Sequence, residues 1–355
     1  MRKLTALLLL LALLLSGCVF TVPLGTQATD PSTAPTLSDG AHLQVHYIDV
    51  GQADCMLLEC DGKYMVIDGG NRADSSLVVA YLQNQGVEEI EAVVNTHPHE
   101  DHVGGLPAVL AVFPVKAVYG TSKVYSSSVY DDFLRYINQQ SLDLQIPKPG
   151  DSFNLGSATV TVIGPVGSGY EDLNDTSLVL MVQFGDTKFL FTGDMEALAE
   201  RELVDAGVDL KADVLKVGHH GSYSSTSYVF LREVMPTYGV ITVGRDNEYG
   251  HPHADPMSRL EQAGVTLYRT DKMGNIVATS DGTNIVFQWG NATAAPTVPN
   301  GSGSGQQMRY IGNIKTFSLH LPSCGNLPGP ANQIIFYDYE QAIANGYKPC
   351  SRCMG

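Results

Sequence analysis

The six residues His97-Pro98-His99-Glu100-Asp101-His102 constrain this chain more than any other stretch. Three imidazoles and a carboxylate lie directly after a strand-like run, Glu91 to Thr96, and just before a glycine-led helical pattern. On such a loop they can turn toward one point and offer nitrogen and oxygen ligands suited to zinc. Histidines that merely hydrogen-bond on a polar surface loop are the weaker reading, because gathering them so densely is costly without a cation. Holding the loop in place takes a rigid scaffold. The chain has 355 residues, 44% of them apolar and 16% charged, enough to bury one large core or two. That composition excludes a wholly disordered or collagen-like polypeptide.

The surrounding pattern supplies a scaffold of mixed type. His42 to Ile48 and Asp54 to Cys60 read as strands, Asp61-Gly62 as a hairpin turn and Lys63 to Ile67 as the returning strand. Ser75 to Gln85 has helical spacing and ends at Gly86, and Gly104 to Phe113 reads as a second helix. Ser177 to Phe184 and Lys188 to Thr192 form another hairpin, followed by a helix over Met195 to Ala206 and a buried-type strand over Asp213 to Val217. Early hairpins and later β-α alternation predict sheets packed inside helical layers.

The His97 to His102 block matches the H-x-H-x-D-H signature of the metallo-β-lactamase superfamily at every position, and the chain resembles that family. Further blocks narrow the resemblance: HYIDVGQADCML from His46, Asp68-Gly69-Gly70, NDTSLVL from Asn174, FTGD from Phe191, VLKVGHHGS from Val214 and GHPH from Gly250. Together they look like the hydrolase domain of ComEC-type competence proteins and their secreted relatives, over roughly residues 43 to 289. The fold this implies is α/β, a four-layer αββα metallo-β-lactamase sandwich, with a small zinc-binding domain appended at the C-terminus. Carried over by position, the resemblance assigns His97 and His99 to one metal, Asp101 and His102 to a second, and Asp194 to both. His219 or His220 completes the second site, and the sequence leaves open which. Asp194 could also be a turn residue capping the following helix. No histidine lies between His102 and His219, so the third imidazole common in the superfamily is missing, and Asn174 is its expected substitute. An amide oxygen suits harder cations better than zinc, so manganese is an alternative occupant.

Two divalent cations in such a site polarise a phosphoryl oxygen and generate hydroxide at neutral pH. Asp101 and Asp194 are expected to orient that hydroxide. His251 and His253 are candidates to protonate the leaving group or hold a phosphate, or are simply exposed on a loop packed by Pro252. Asp49, Gln52 and Asp54 are candidate buttresses of the metal loop, or ordinary strand-end turn residues. Cys55 and Cys60, five apart, project to opposite faces and are expected to be small buried residues rather than a disulfide.

The two ends carry separate signals. Arg2 and Lys3, the apolar run Leu4 to Leu15 and the tetrapeptide Leu15-Ser16-Gly17-Cys18 read as a lipoprotein signal over residues 1–17, with Cys18 as the lipidated residue. An uncleaved anchor, or a signal with an incidental cysteine, is the alternative. Residues 18–40 form a tether, 41–289 the hydrolase domain, 290–306 a linker and 307–355 a terminal module. In that module His320, Cys324, Cys350 and Cys353 have ligand spacing for one structural zinc; a disulfide would leave one cysteine unpaired. Tyr310 to Asn313 and Glu340 to Cys353 resemble the metal-binding domain of the Ada DNA-repair protein, in which four cysteines hold zinc and the first accepts a methyl group. His320 stands at that first position. An imidazole ligates but lacks the nucleophilic thiolate, so a structural or DNA-contacting role is expected rather than methyl transfer.

Charge bounds the partner. The net charge is -16; residues 306–355 carry +2, and residues 18–305 about -20. Nucleic acid wrapped by bulk electrostatics is thereby excluded, although a nuclease whose metal ions supply the attraction is not. The expected function is an extracytoplasmic, lipid-anchored, monomeric metal-dependent phosphodiesterase acting on DNA. The alternatives are an envelope phosphodiesterase for teichoic acid or a small nucleotide, and a non-catalytic surface DNA-binding protein. β-Lactam hydrolysis ranks below these.

Overall fold

The computed structural model describes residue 40, residues 42–123 and 125–290, and, near the C-terminus, residues 310–313, 315–329, 333–336, 339–344 and 347–354. Cys18, the leader and nearly all of the tether and linker lie outside the described residues. In chain order the strands of the main body are β1 (Leu43–Tyr47), β2 (Met56–Cys60), β3 (Lys63–Ile67), β4 (Ala92–Val94), β5 (Val118–Tyr119), β6 (Leu144–Gln145), β7 (Ser152–Leu155), β8 (Ala158–Gly164), β9 (Val179–Phe184), β10 (Thr187–Phe191), β11 (Val214–Lys216), β12 (Tyr238–Ile241), β13 (Thr266–Arg269), β14 (Ile276–Ser280) and β15 (Ile285–Trp289). They make two sheets, ordered β15-β14-β1-β2-β3-β4-β5-β6 and β13-β12-β11-β10-β9-β8-β7. The helices are α1 (Ser75–Asn84), α2 (Glu100–Val103), α3 (Leu106–Val112), α4 (Ser128–Gln139), α5 (Ala197–Asp205), α6 (Tyr228–Val234), α7 (Ala254–Gln262) and α8 (Thr270–Met273).

Alternation along the strands builds the layers. In β2, Met56 and Leu58 face a core shared with Phe189 and Phe191 of β10, while Leu57 faces α1, α3 and α4. In β10 the intervening Leu190 faces α5, α6 and α7. Two sheets thus pack face to face with helices outside each, the four-layer αββα arrangement expected from the sequence. Cys60 lies in the inter-sheet core and Cys55 in the outer one, both as free thiols, as their spacing predicted. The Asp61-Gly62 turn has φ of 53° and 72° at its two residues, as a two-residue hairpin between Cys60 and Lys63 requires.

Two expected helices differ in extent. The helix expected over Gly104 to Phe113 begins two residues later, as α3, and a separate single turn, α2, precedes it within the histidine block, the two being parted at Gly104-Gly105. Both glycines press on neighbouring backbone: a Cβ would lie 2.3 Å from Arg72 N at Gly104 and 2.1 Å from Gly69 O at Gly105. The helix expected from Met195 begins two residues later, at Ala197, with Glu196 at its N-cap, so Asp194 does not cap it. Residues 192–196 are released to form the loop that carries Asp194.

The C-terminal part forms its own four-stranded sheet, β16 (Tyr310–Asn313), β17 (Ser318–His320), β18 (Gln333–Phe336) and β19 (Lys348–Pro349), in the order β18-β16-β17-β19, with helix α9 (Tyr339–Ala344). Among the described residues no helix is long and apolar enough to cross a membrane.

Candidate metal centre

The imidazole-rich loop leaves the end of β4 and is pinned by Asp68, at the end of the parallel neighbour β3. Asp68 accepts from Thr96 N (2.8 Å), Thr96 Oγ1 (2.6 Å) and Asn95 Nδ2 (3.2 Å), and its Oδ2 lies 2.9 Å from His102 Nδ1. The last contact fixes the His102 ring with Nε2 pointing away from Asp68. From the second sheet, the loop after β10 brings Asp194, whose N–H donates to Ser177 Oγ at 3.1 Å. The loop after β11 brings His219 and His220, two consecutive non-glycine residues with left-handed φ of 47° and 49°. Such a conformation costs on the order of 1–3 kcal/mol at each residue and persists only where the surroundings enforce it. His220 Nδ1 lies 2.9 Å from the Thr242 carbonyl oxygen and 3.3 Å from Asp54 Oδ1, leaving Nε2 aimed at Asp101 and Asp194.

Donor atoms of Asp101, His102, Asp194 and His220 all lie within 4.8 Å of one another. His102 Nε2 is 3.2 Å from Asp194 Oδ2, and His220 Nε2 is 3.2 Å from Asp101 Oδ2 and 3.5 Å from Asp194 Oδ2. His97 and His99 adjoin this group: their Nε2 and Nδ1 atoms are 3.0 Å apart, and the His97 ring centroid is 4.1 Å from that of His102. Of the pair left open by the sequence, His220 belongs to the four-donor group. His219 stands beside it, with Nδ1 3.0 Å from Glu196 Oε1 and Nε2 3.6 Å from Asp194 Oδ2.

The electrostatics match the donor set to a cation. Burial would lower the His102 and His220 pKa values, but the Asp194 carboxylate, joined by Asp101 and Asp68 at His102 and by Asp54 at His220, outweighs it and raises both, His220 to about 10. Burial and the neighbouring His102 hold His97 well below the usual imidazole value, so its ring keeps a free electron pair. The buried oxygens Asp194 Oδ1 and Asn174 Oδ1 have no hydrogen-bond partner among the described residues, and His102 Nε2 faces the Asp194 Oδ2 carboxylate oxygen at 3.2 Å. Buried polar atoms are rarely left unpaired, and a ring nitrogen converging with unpaired oxygens fits a divalent cation.

The remaining predicted residues fall around this group. Asn174 is buried, and its Nδ2 donates to Glu196 Oε1 at 3.3 Å. His251 lies with its ring centroid 5.5 Å from that of His219, and Gln52 Nε2 is 3.3 Å from its Nδ1. Burial, then His220 and His219, lower the His251 pKa to about 4. His253 is one step farther out, with Nδ1 accepting from Tyr223 N at 3.0 Å. A cleft of about 400 Å³ opens beside Asp101, lined by Glu100, Asp246, Glu248, Gln52 and Tyr249 among others.

Two functional candidates were missed in the sequence. Glu196 gathers Asn174, His219 and Ser224 on one carboxylate oxygen, the last at 2.8 Å. Its nearness to Asp194 in sequence was the available signal. Lys216, a fully buried lysine in the apolar run VLKV, lies with Nζ 2.7 Å from Asp54 Oδ2.

The C-terminal donors meet for a topological reason. β17 and β19 are parallel neighbours, with Leu319 opposite Pro349, so His320 and Cys350 emerge side by side at one end of the sheet. Turns return Cys324 and Cys353 to them: His320 Nδ1 is 3.4 Å from Cys324 Sγ, and Leu321 N donates to Cys353 Sγ at 3.4 Å. All four donor atoms lie within 4.8 Å, a group that could hold a metal ion.

Comparison with known proteins places residues 48–245, more than half of the chain, on the family profile of the metallo-β-lactamase superfamily. ComE operon protein 3 of Bacillus subtilis is 28% identical over 251 residues, 66% of this chain and 32% of its own length. Competence protein ComA of Neisseria gonorrhoeae is 31% identical over 229 residues, 64% of this chain and 30% of its own. Recombination protein 2 of Haemophilus influenzae is 31% identical over 243 residues, 66% and 28% respectively. The chain thus spans about a third of the length of these curated relatives. Among solved structures, the metallo-β-lactamase fold protein YhfI of Bacillus subtilis aligns with a TM-score of 0.49 at 12% identity, covering 68% of this chain and all of that one.

Proposed function

Because this chain belongs to the metallo-β-lactamase superfamily of metal-dependent hydrolases, we propose that it is an extracytoplasmic phosphodiesterase acting on DNA. The observation that carries the reading is the convergence of Asp101 and His102 from one sheet with Asp194 and His220 from the other, around orphaned buried polar atoms. Asp101, His102, Asp194 and His220 would hold one cation, and His97 and His99, with the Asn174 amide oxygen, a second. Divalent cations there would supply Lewis acidity to a phosphoryl oxygen and acidify water. The protein's own part is orientation: Asp68 fixes His102, the Thr242 carbonyl fixes His220, and Glu196 fixes His219 and Asn174. His251, whose ring is held neutral and faces the same group, is placed to accept a proton or contact a phosphate. The competence and recombination names of the relatives support a DNA substrate. His320, Cys324, Cys350 and Cys353 would hold a structural zinc, and their module would contact the phosphate backbone. The Leu15 to Cys18 tetrapeptide supports lipid anchoring to the outer face of a bacterial membrane through Cys18.

The cleft beside Asp101 favours a second reading. Glu100, Asp101, Asp246 and Glu248 repel a polyanion, whereas a small phosphodiester with a neutral or cationic group, such as an envelope polymer substituent, meets no such penalty. One experiment separates the two. Residues 19–355 are incubated with single-stranded DNA, duplex DNA and bis-p-nitrophenyl phosphate, with manganese or zinc and with chelator. Metal-dependent DNA cleavage is the expected result; cleavage of the small diester alone would transfer the assignment to the envelope substrate, and no cleavage of any would sink the phosphodiesterase reading.

A further inference from the structure

The donors of Asp54, Asp68 and His102 form another buried group lying within 4.8 Å, beneath the four-donor centre and sharing His102 with it. Lys216 reaches this group. Its Nζ is 2.7 Å from Asp54 Oδ2 and 3.1 Å from the Val217 carbonyl oxygen, and both Lys216 and Asp54 are fully buried. Asp54 also accepts from Thr242 Oγ1, and its carboxylate lies 3.3 Å from His220 Nδ1 and 4.0 Å from His102 Nδ1. One carboxylate therefore stands behind two candidate ligand rings.

The pair also joins the two halves of the sandwich at the site. Asp54 sits on the loop between β1 and β2, and its N–H donates to the Asp101 carbonyl oxygen at 3.0 Å. Lys216 ends β11 in the other sheet, three residues before His219. A buried ion pair is a poor device for stability alone, since desolvating both charges offsets most of their attraction and apolar residues of equal volume do as well or better. What an ion pair provides that apolar packing does not is a fixed direction, and this one points at the backs of His102 and His220.

We propose that Lys216 is a positioning residue: its ammonium is the built-in cation of the Asp54–Asp68–His102 group, and it holds Asp54 between His102 and His220 so that ligands from the two sheets keep one geometry. The inference rests on the metal-centre reading and adds that the lower group takes no metal. With Lys216 in place, no divalent cation binds in the lower group; without it, Asp54 is drawn out of position and the upper group binds more weakly.

The test is manganese uptake followed by electron paramagnetic resonance in the mature chain, because the thiolate-rich C-terminal cluster has little affinity for so hard a cation. Lys216→Met is expected to weaken manganese binding about tenfold or more, the usual effect of losing a group that orients a ligand. Lys216→Met combined with Asp54→Asn removes both charges. It is expected to recover the melting temperature lost in the single variant but not the manganese affinity, because the hold on His102 and His220 is gone. Wild-type affinity in either variant would overturn the positioning role while leaving the metal centre standing. No manganese or zinc uptake by the wild-type protein would overturn the metal-centre reading, and the role of Lys216 with it.

Discussion

Among the described residues two groups of four donors converge, the donor atoms of each lying within 4.8 Å of one another, and they are supported in opposite ways. Asp101, His102, Asp194 and His220 rest on a layer of side chains that already fixes them: Asp68, Asp54, Thr242 and Ser177, set in a core shared by fifteen strands. Of His320, Cys324, Cys350 and Cys353, only His320 is on a strand, the three-residue β17; the cysteines follow it or the two-residue β19 in turns, and their hydrogen bonds run to one another or to neighbouring residues such as Leu319 and Leu321. A group preorganised by its surroundings can lose its ion and keep its shape. A group that is its own scaffold cannot, because the ion's binding free energy is then folding free energy.

The sharpest way to break that comparison is to remove metal. Structural zinc in small modules contributes about 10–16 kcal/mol near neutral pH, more than so short a segment gains from burial. Strong chelation, or Cys350→Ser, is expected to open the C-terminal module to protease while the sandwich keeps its circular dichroism and melting temperature within a few degrees. A module that stays resistant after complete demetallation would show that its four-stranded sheet stands alone.

Next in size is loss of a single donor in the sandwich. Asp101→Ala and His220→Ala are each expected to lower hydrolysis of bis-p-nitrophenyl phosphate by about three orders of magnitude, since the cation's charge stabilisation in the transition state is worth several kcal/mol. His219→Ala should cost less, because His219 lies outside the four-donor group. Equal losses for His219→Ala and His220→Ala would erase the distinction the geometry draws between the two neighbours.

The sequence showed the donors better than their supports, and the reason is physical. Ligands need particular atoms at particular spacings, so His97 to His102 and the His219-His220 pair are legible in a single reading. Which imidazole of that pair turns inward depends on left-handed backbone at both residues and on a carbonyl from β12, neither visible in a string of letters. Lys216 acts across a long sequence separation on Asp54, so only the folded chain reveals it, and Glu196, two residues from Asp194, shows its partners Asn174, His219 and Ser224 only once the chain is folded. Sheets packed inside helical layers followed from the hairpins and the later β-α alternation, and the four-layer sandwich was what the family resemblance implied. The break at Gly104-Gly105 followed from neither, because it is caused by the backbone of residues 69–72.

A smaller effect probes how the sandwich supports its site without metal. Glu200 on α5 accepts from Thr226 N and from Ser227 N (2.8 Å), tying α5 to the segment that follows His220. Burial pushes its pKa up from 4.5 to about 7. For an acid shifted upward, the folded state binds the extra proton, so stability falls as pH rises from about 4.5 to about 7, by on the order of 3 kcal/mol in total. Glu200→Gln should remove that slope. Urea denaturation at pH 5, 6, 7 and 8 reads the difference between the two curves, and parallel curves would contradict it.

The least effect expected is on DNA affinity, and it asks whether the two regions differ in charge as they differ in support. Residues 18–305 carry about -20 and residues 306–355 about +2, so attraction to a phosphate backbone has to come from bound cations or from the module. Lys315, Lys348 and Arg352 are exposed there; Arg309 lies outside the described residues. Each phosphate contact adds about 0.9 to the slope of log affinity against log salt for duplex DNA. Replacing the three by glutamine is expected to reduce that slope by up to about 3 and to weaken binding about tenfold at low salt, with hydrolysis of bis-p-nitrophenyl phosphate unchanged. An unchanged slope would mean that these cations are ordinary solvated surface, that the module's cluster serves its own folding alone, and that any DNA bound by the protein is held at the metal centre.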